Sequence, residues 1–227
     1  RHTRYISVTG VQTCALPICK SEGLSVFLVD LRTAIGKGLS LRAIPNMVNH
    51  ETNELFFDEL EIPAENLIGI EGQGFRCILD GLNAERVLIA AECIGDARWF
   101  VERASRYARE RVVFDRPIGQ NQGVQFPIAE SHIETEAASL MRYRACELYD
   151  TGKPCGAEAN MAKYLAAKAS WEAGNACLQT HGGFGFAAEY DVERKFRETR
   201  LYQVAPISTN FVLSYVAEHL LGMPRSY

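Results

Sequence analysis

The sequence is poor in the features that most directly name a chemistry. None of its seven cysteines (14, 19, 77, 93, 146, 155 and 177) falls in a C-x-x-C pair, and their spacing is irregular. That argues against a zinc site or a disulfide framework and for reduced thiols in a cytosolic protein. No apolar run approaches the ~18–20 residues that a membrane helix needs. Positive charge is not in excess, with 24 Lys and Arg against 28 Asp and Glu and a formal charge of −4. A mildly acidic chain lacks the electrostatic footprint of a nucleic-acid binder. S-x-x-K, G-x-S-x-G and metal-spaced histidine pairs are absent, and His50, His132, His181 and His219 are scattered. The serine-hydrolase and metalloenzyme signatures are therefore missing. What remains is a chain of 227 residues, 47% hydrophobic and 23% charged. That is the composition of a globular protein, long enough for one large domain or two modest ones.

The first eighteen residues, RHTRYISVTGVQTCALPI, do not read like the rest. They are basic at the start, contain no acid and show no helical or strand period. The apolar run is too short for a signal peptide. Val8 to Ile18 back-translates to a string that looks like a common sequencing-adapter oligonucleotide, and Arg1 to Arg4 fits the upstream part of the same adapter. The expectation is a non-native segment up to the junction at Cys19, with the gene continuing upstream. The alternative is a natural N-terminal arm.

Beyond it the chain divides in two. Residues 20–70 carry short, partly alternating apolar runs (Leu24 to Val29, Leu39 to Ile44, Glu54 to Leu60) punctuated by Gly36, Gly38, Pro45 and Pro63, which reads as β-structure. From residue 71 the apolar period becomes 3.6. Helices are predicted over Phe75 to Glu110, Val124 to Asp150, Ala157 to His181, Asp191 to Glu198 and Thr209 to Leu221. Gly182-Gly183 is a helix stop. The fold class is mixed α and β: part of a β-barrel-like domain followed by an up-down bundle of about four helices.

Three places could carry chemistry. Glu85 shares a helical face with Ile78, Leu82, Leu88 and Ile89. A partly desolvated carboxylate is the stronger base that proton abstraction near neutral pH requires. Spacing alone fits better an ion-pair partner of Arg86 or Arg103, or a carboxylate reaching to solvent from the edge of the stripe. Leu178 to Phe186 places glycines after a helix, where a ligand could approach or the helix could simply end. Arg109 to Arg116 clusters arginines that could hold a pyrophosphate or merely complement a helix C-terminus.

Several segments, in order, resemble the C-terminal half of the acyl-CoA dehydrogenase family. Phe56 to Gly69 resembles its F-x-(D/N)-V-x-V-P-x-(E/D)-N-x-(L/I)-G segment. Gly72 to Phe75 resembles its G-x-G-F helix start. Arg106 to Arg111 with Phe114 resembles Y-A-x-x-R-x-x-F. Gly119 to Phe126 resembles the following Q-x-(I/V)-Q-F stretch. Gln179 to Phe186 resembles Q-x-(H/F/Y)-G-G-x-G-(F/Y). The resemblance implies a flavoprotein that oxidises the Cα–Cβ bond of an acyl-CoA thioester to a trans-2-enoyl-CoA. In that family a glutamate takes the α-proton and the β-hydrogen leaves as hydride to FAD. An electron-transfer flavoprotein usually receives the electrons, and the subunits form dimers or tetramers. By position, Arg111, Phe114, Gln122, Gln179, Gly182, Gly183, Ser208 and Thr209 would approach FAD, the first two on a neighbouring subunit. Asn83 and Arg86 would lie near the CoA-bearing substrate. The family's N-terminal helical domain and first strands have no counterpart here. This polypeptide alone is therefore expected to bind FAD poorly, to lack turnover and to aggregate.

The base position discriminates further. Many family members carry the glutamate late in the bundle, in I-Y-E-G-T, where this chain has Pro206. A minority, including the isovaleryl-CoA and long-chain enzymes, carry it on the first bundle helix in E-R-x-x-(L/I)-A. Here Glu85-Arg86-Val87-Leu88-Ile89-Ala90 matches that pattern. Loss at 206 and gain at 85 fit each other, so the resemblance favours Glu85 as the catalytic base. Proline also removes the backbone N–H that the family aims at the thioester carbonyl. The expectation is a shifted loop in which the Ile207 N–H substitutes. The competing readings are a diverged flavin oxidase or monooxygenase, and a non-catalytic helical module.

Overall fold

The computed structural model describes residues 23–48 and 52–225. The segment read as adapter-derived and His50 lie outside the described residues. The chain divides into two compact units, and the division falls inside one helix, between Leu82 and Asn83.

The first unit is built from short ladders. Strand β1 (Val26–Phe27) is followed by a one-turn helix α1 (Leu31–Ala34), β2 (Leu39–Ala43), β3 (Asn53–Phe57) and β4 (Leu67–Ile68). β2 pairs antiparallel with β3, from Leu39 opposite Phe57 to Ala43 opposite Asn53. β1 pairs with β4. No barrel closes among the described residues. Asp30 caps α1 by accepting from the Arg32 N–H at 3.0 Å, satisfying a helix-end donor. Gly74 opens the next helix beside β1. A Cβ there would lie 2.7 Å from the Val26 nitrogen, so no larger residue fits.

The long helix α2 runs from Gly74 to Glu110. A hairpin follows, β5 (Val112–Val113) against β6 (Arg116–Pro117). Then come α3 (Gln122–Asp150), α4 (Gly156–His181), α5 (Val192–Thr199) and α6 (Thr209–Tyr215). α6 passes into a π-helical turn, Val216–Leu220, which ends before Gly222 at φ +65°. The five predicted helices are all present. The hairpin was not predicted, because its strands are two residues long and carry no period.

α4 is the centre of the second unit. Its buried face is almost all small: Ala159, Ala162, Ala166, Ala167, Ala169, Ala173 and Gly174. Small residues let neighbouring helices approach closely, and packing rather than propensity then stabilises them. Phe100, fully buried, seats its ring against Gly174, where a Cβ would meet it at 3.4 Å. One buried cluster joins Ala97, Phe100, Ala104 and Ala108 of α2 to Ile128 of α3 and Ala173 and Cys177 of α4. A second joins Ala90, Cys93 and Ile94 to Ala138, Ala162, Ala166 and Ala167. The apolar stripe expected along α2 is buried at Cys93, Ala97 and Phe100, but Leu88, expected on the apolar face beside Glu85, is 66% exposed.

Candidate functional site

Two sets of expected residues form two places on the second unit. The first starts on α2. Asn83, Glu85 and Arg86 are all half-buried. Arg86 donates from Nη1 to Asn83 Oδ1 at 3.0 Å, while its Nε is buried without a hydrogen-bond partner. Burial lowers the Arg86 pKa, opposed by Tyr215 and by Glu85, so both groups flank the guanidinium. Glu85 itself has no ion pair or hydrogen bond among the described residues. The ion pair with Arg86 or Arg103 that its spacing allowed is not formed. Tyr215, which sequence reasoning missed, brings its hydroxyl beside α4. A Cβ at Gly156 would sit 3.2 Å from that oxygen and 3.8 Å from the Asn83 amide. Arg86, Asn83, Tyr215 and Gly156 thus surround one polar spot near a carboxylate that makes no ion pair or hydrogen bond.

The turn bearing Pro206 is tied to the same region through α4. Lys163, fully buried, donates to the Tyr202 carbonyl at 2.7 Å and the Ile207 carbonyl at 2.6 Å. Burial lowers its pKa to about 8, with Cys93 opposing and Arg86 adding to the shift. Cys93 is fully buried and its thiol is pushed up by that burial. The N–H of Ile207 makes no hydrogen bond among the described residues. Ser208 caps α6, accepting from the Phe211 N–H at 3.5 Å, and Thr209 opens that helix. Lys163 was also missed. Its only signal is a lone charge on the alanine face of α4.

The second place lies past the other end of α2. A cleft of about 470 Å³ is lined by Tyr107, Arg111, Ile118, His181, Gly182 and Gly183, among others. Gly182 ends α4 at φ +56°, and a Cβ on it or on Gly183 would meet nothing within 4 Å. The backbone there is open to a ligand. The Arg111 guanidinium lies over the Phe184 ring, 5.7 Å from its centroid, and has no carboxylate partner among the described residues. It therefore faces the cleft rather than capping α2. His181 stacks on Tyr107 at 4.2 Å, and its Nδ1 lies 2.9 Å from the Cys177 carbonyl. Burial lowers its pKa, so the ring is neutral near pH 7. Phe114 and Asp115 form the hairpin tip with φ +53° and +61°. Phe114 is 93% exposed. An exposed aromatic held in a left-handed conformation is unusual.

Gln179 is exposed and lines a different cleft, with Glu130, Glu134 and Lys168. Gln122 is the exposed first residue of α3. Neither joins the Arg111–Gly183 cleft. A free cation beside an open glycine backbone fits the phosphate-bearing part of a dinucleotide. Among the described residues no group of His, Cys, Asp and Glu could hold a metal ion, and no helix is long and apolar enough to cross a membrane. The five described cysteines are free thiols.

Residues 72–221 match the family model for the acyl-CoA dehydrogenase C-terminal domain. The chain is 43% identical over 176 residues to acyl-CoA dehydrogenase FadE12 of Mycobacterium tuberculosis, covering 77% of this chain and 45% of that protein. Superposed on the glutaryl-coenzyme A dehydrogenase–glutaryl-CoA complex, it gives a TM-score of 0.85 at 32% identity, over 91% of this chain and 52% of that one. Against PigA with FAD and proline the TM-score is 0.81 at 27% identity, over 86% of this chain and 51% of that one. The chain spans about half the length of the curated relatives it matches.

Proposed function

The chain belongs to the acyl-CoA dehydrogenase family, and from that premise we propose that the whole protein desaturates an acyl-CoA thioester at Cα–Cβ, with Glu85 as the base. The observation that carries the proposal is the carboxylate of Glu85. It stands without an ion-pair partner beside the Asn83–Arg86–Tyr215 group, in a chain that holds proline at the family's other base position. A carboxylate engaged in an ion pair would have to break it before taking a proton; Glu85 does not.

Glu85 removes the α-proton. Arg86 and Asn83 hold the polar part of the substrate near it. The developing negative charge on the thioester oxygen needs a donor, and Pro206 cannot give one. The free Ile207 N–H, one residue on, supplies it. A bound FAD would supply the hydride acceptor for the β-hydrogen. Arg111, Gly182 and Gly183 would hold its phosphates, and Phe114 would meet its adenosine half. Gln122, Gln179, Ser208 and Thr209 stay as candidate FAD contacts by position in the family.

Glu85 and the end of α2 at Glu110 are 25 residues apart, roughly 37 Å along one helix. That is further than one flavin dinucleotide reaches, so the Arg111 cleft of one subunit would serve the flavin of another. That supports a homo-oligomer. Phe126, Ile133 and Leu140, exposed at seven-residue intervals on α3, offer an apolar stripe for it. An electron-transfer flavoprotein is the proposed electron acceptor.

The test is α-proton exchange of a bound saturated acyl-CoA in deuterated buffer. Glu85→Gln should slow it by about 10²–10⁴-fold, the contribution of a general base. An unchanged rate would remove Glu85 from the mechanism.

A further inference from the structure

We propose that Lys163 is a positioning residue: its ammonium clamps the turn carrying Pro206 and so aims the Ile207 N–H at the oxygen of a bound thioester. The proposal rests on the acyl-CoA reading above.

Lys163 is fully buried on the small-residue face of α4, next to Ala162, Ala166 and Ala167. Burying an ammonium is costly unless it is fully hydrogen-bonded. A leucine or methionine would fill the same stripe at no such cost. The lysine is therefore explained by what its head group holds. It holds two carbonyls, those of Tyr202 and Ile207, one on each side of Pro206. Two more contacts from the same stripe pin the chain just before the turn. Gln203 Nε2 donates to the Ala167 carbonyl at 2.7 Å. The hydroxyls of Ser170 and Thr199 form a hydrogen bond. Lys163, Ala167 and Ser170 are spaced i, i+4, i+7 and so lie along one helix face. Of the three, only Lys163 reaches beyond Pro206.

Ile207 is thus constrained from both sides. The ring of Pro206 fixes the backbone before it, and Lys163 fixes its carbonyl after it. Its N–H lies between these two anchors and has no partner among the described residues. A preorganised donor needs no reorganisation when charge develops on the substrate. The charged and titratable groups facing the ammonium are Cys93 and Arg86, both from α2.

The experiment compares two CoA ligands on the flavin-loaded whole protein and its Lys163→Met variant. Acetoacetyl-CoA binds as an enolate and needs the oxyanion donor; its long-wavelength charge-transfer band reports binding. An S-alkyl-CoA thioether has no carbonyl and does not need the donor. Lys163→Met should weaken enolate binding about a hundredfold, the lower measure of one lost oxyanion donor, and leave thioether binding unchanged. Equal weakening of both ligands, or of neither, overturns the proposal. If the unsubstituted protein binds neither ligand, the acyl-CoA reading itself falls. A second measurement does not depend on the variant folding. In the unsubstituted protein the Val204 and Ala205 amides, which both donate to the Leu201 carbonyl, should exchange with deuterium as slowly as interior amides of α4. Exchange at the rate of an open loop overturns the proposal.

Discussion

The segment Thr199 to Thr209 and the hairpin Val112 to Pro117 are both short, irregular pieces of the helical unit, yet they are held in opposite ways. The first is anchored from beneath by Lys163, the Ala167 carbonyl and Ser170. The second is held by a two-residue ladder and raises Phe114 into solvent on a left-handed backbone. A segment held by side chains from within the chain, as this one is on both sides of the free Ile207 N–H, has its geometry set by the chain. A segment that holds an exposed aromatic ring on a left-handed backbone gains nothing from that ring within this chain. On the proposed function, the difference would separate the region around Glu85, ordered by this chain, from the region around Arg111, which would meet another subunit's flavin.

Substitutions should divide along that line. Arg111→Ala removes an unpaired cation from the cleft. FAD affinity, measured by fluorescence titration, should fall about ten- to hundredfold, with the melting temperature unchanged. Thr199→Val does the reverse. It leaves the Ser170 hydroxyl buried and unpaired, at a cost of about 1–3 kcal/mol. In a unit of this size that lowers the melting temperature by about 2–4 °C per kcal/mol. Phe114→Asn suits the left-handed tip better and should add up to about 1 kcal/mol of stability while weakening flavin binding. A loss of stability there would mean that the ring packs within this chain after all.

The smallest effect concerns His181. Its folded pKa lies below the ordinary value of about 6.5. The unfolded chain therefore takes up the proton first, and stability is lost as pH falls through the folded value. His181→Gln should flatten the fall in denaturant midpoint seen between about pH 7 and about pH 5. An unaltered slope would show that other groups govern acid unfolding.

Most of the helical architecture was legible because it is periodic and locally punctuated. Gly182 stops α4 for a reason visible in three letters, and Ser208 caps α6 at its expected start. The hairpin was not legible, because two-residue strands carry no period and Phe114-Asp115 is not a typical left-handed turn pair. Leu88 misled because four apolar neighbours do not say which edge of a stripe meets the core. At the candidate site, Glu85, Arg86 and Asn83 were found from residues and resemblance together. Lys163 and Tyr215 were not. Lys163 takes its meaning from carbonyls 39 and 44 residues away. Tyr215 takes its meaning from a glycine on another helix. A short-range pattern sees neither.

The central claim is that the proton-abstracting carboxylate sits on α2 and not on the turn. It is tested most directly by measuring α-proton exchange of one bound acyl-CoA in Glu85→Gln and Pro206→Ala side by side. The account predicts a loss of about 10²–10⁴-fold in the first and retained exchange in the second. Exchange that survives Glu85→Gln would contradict it.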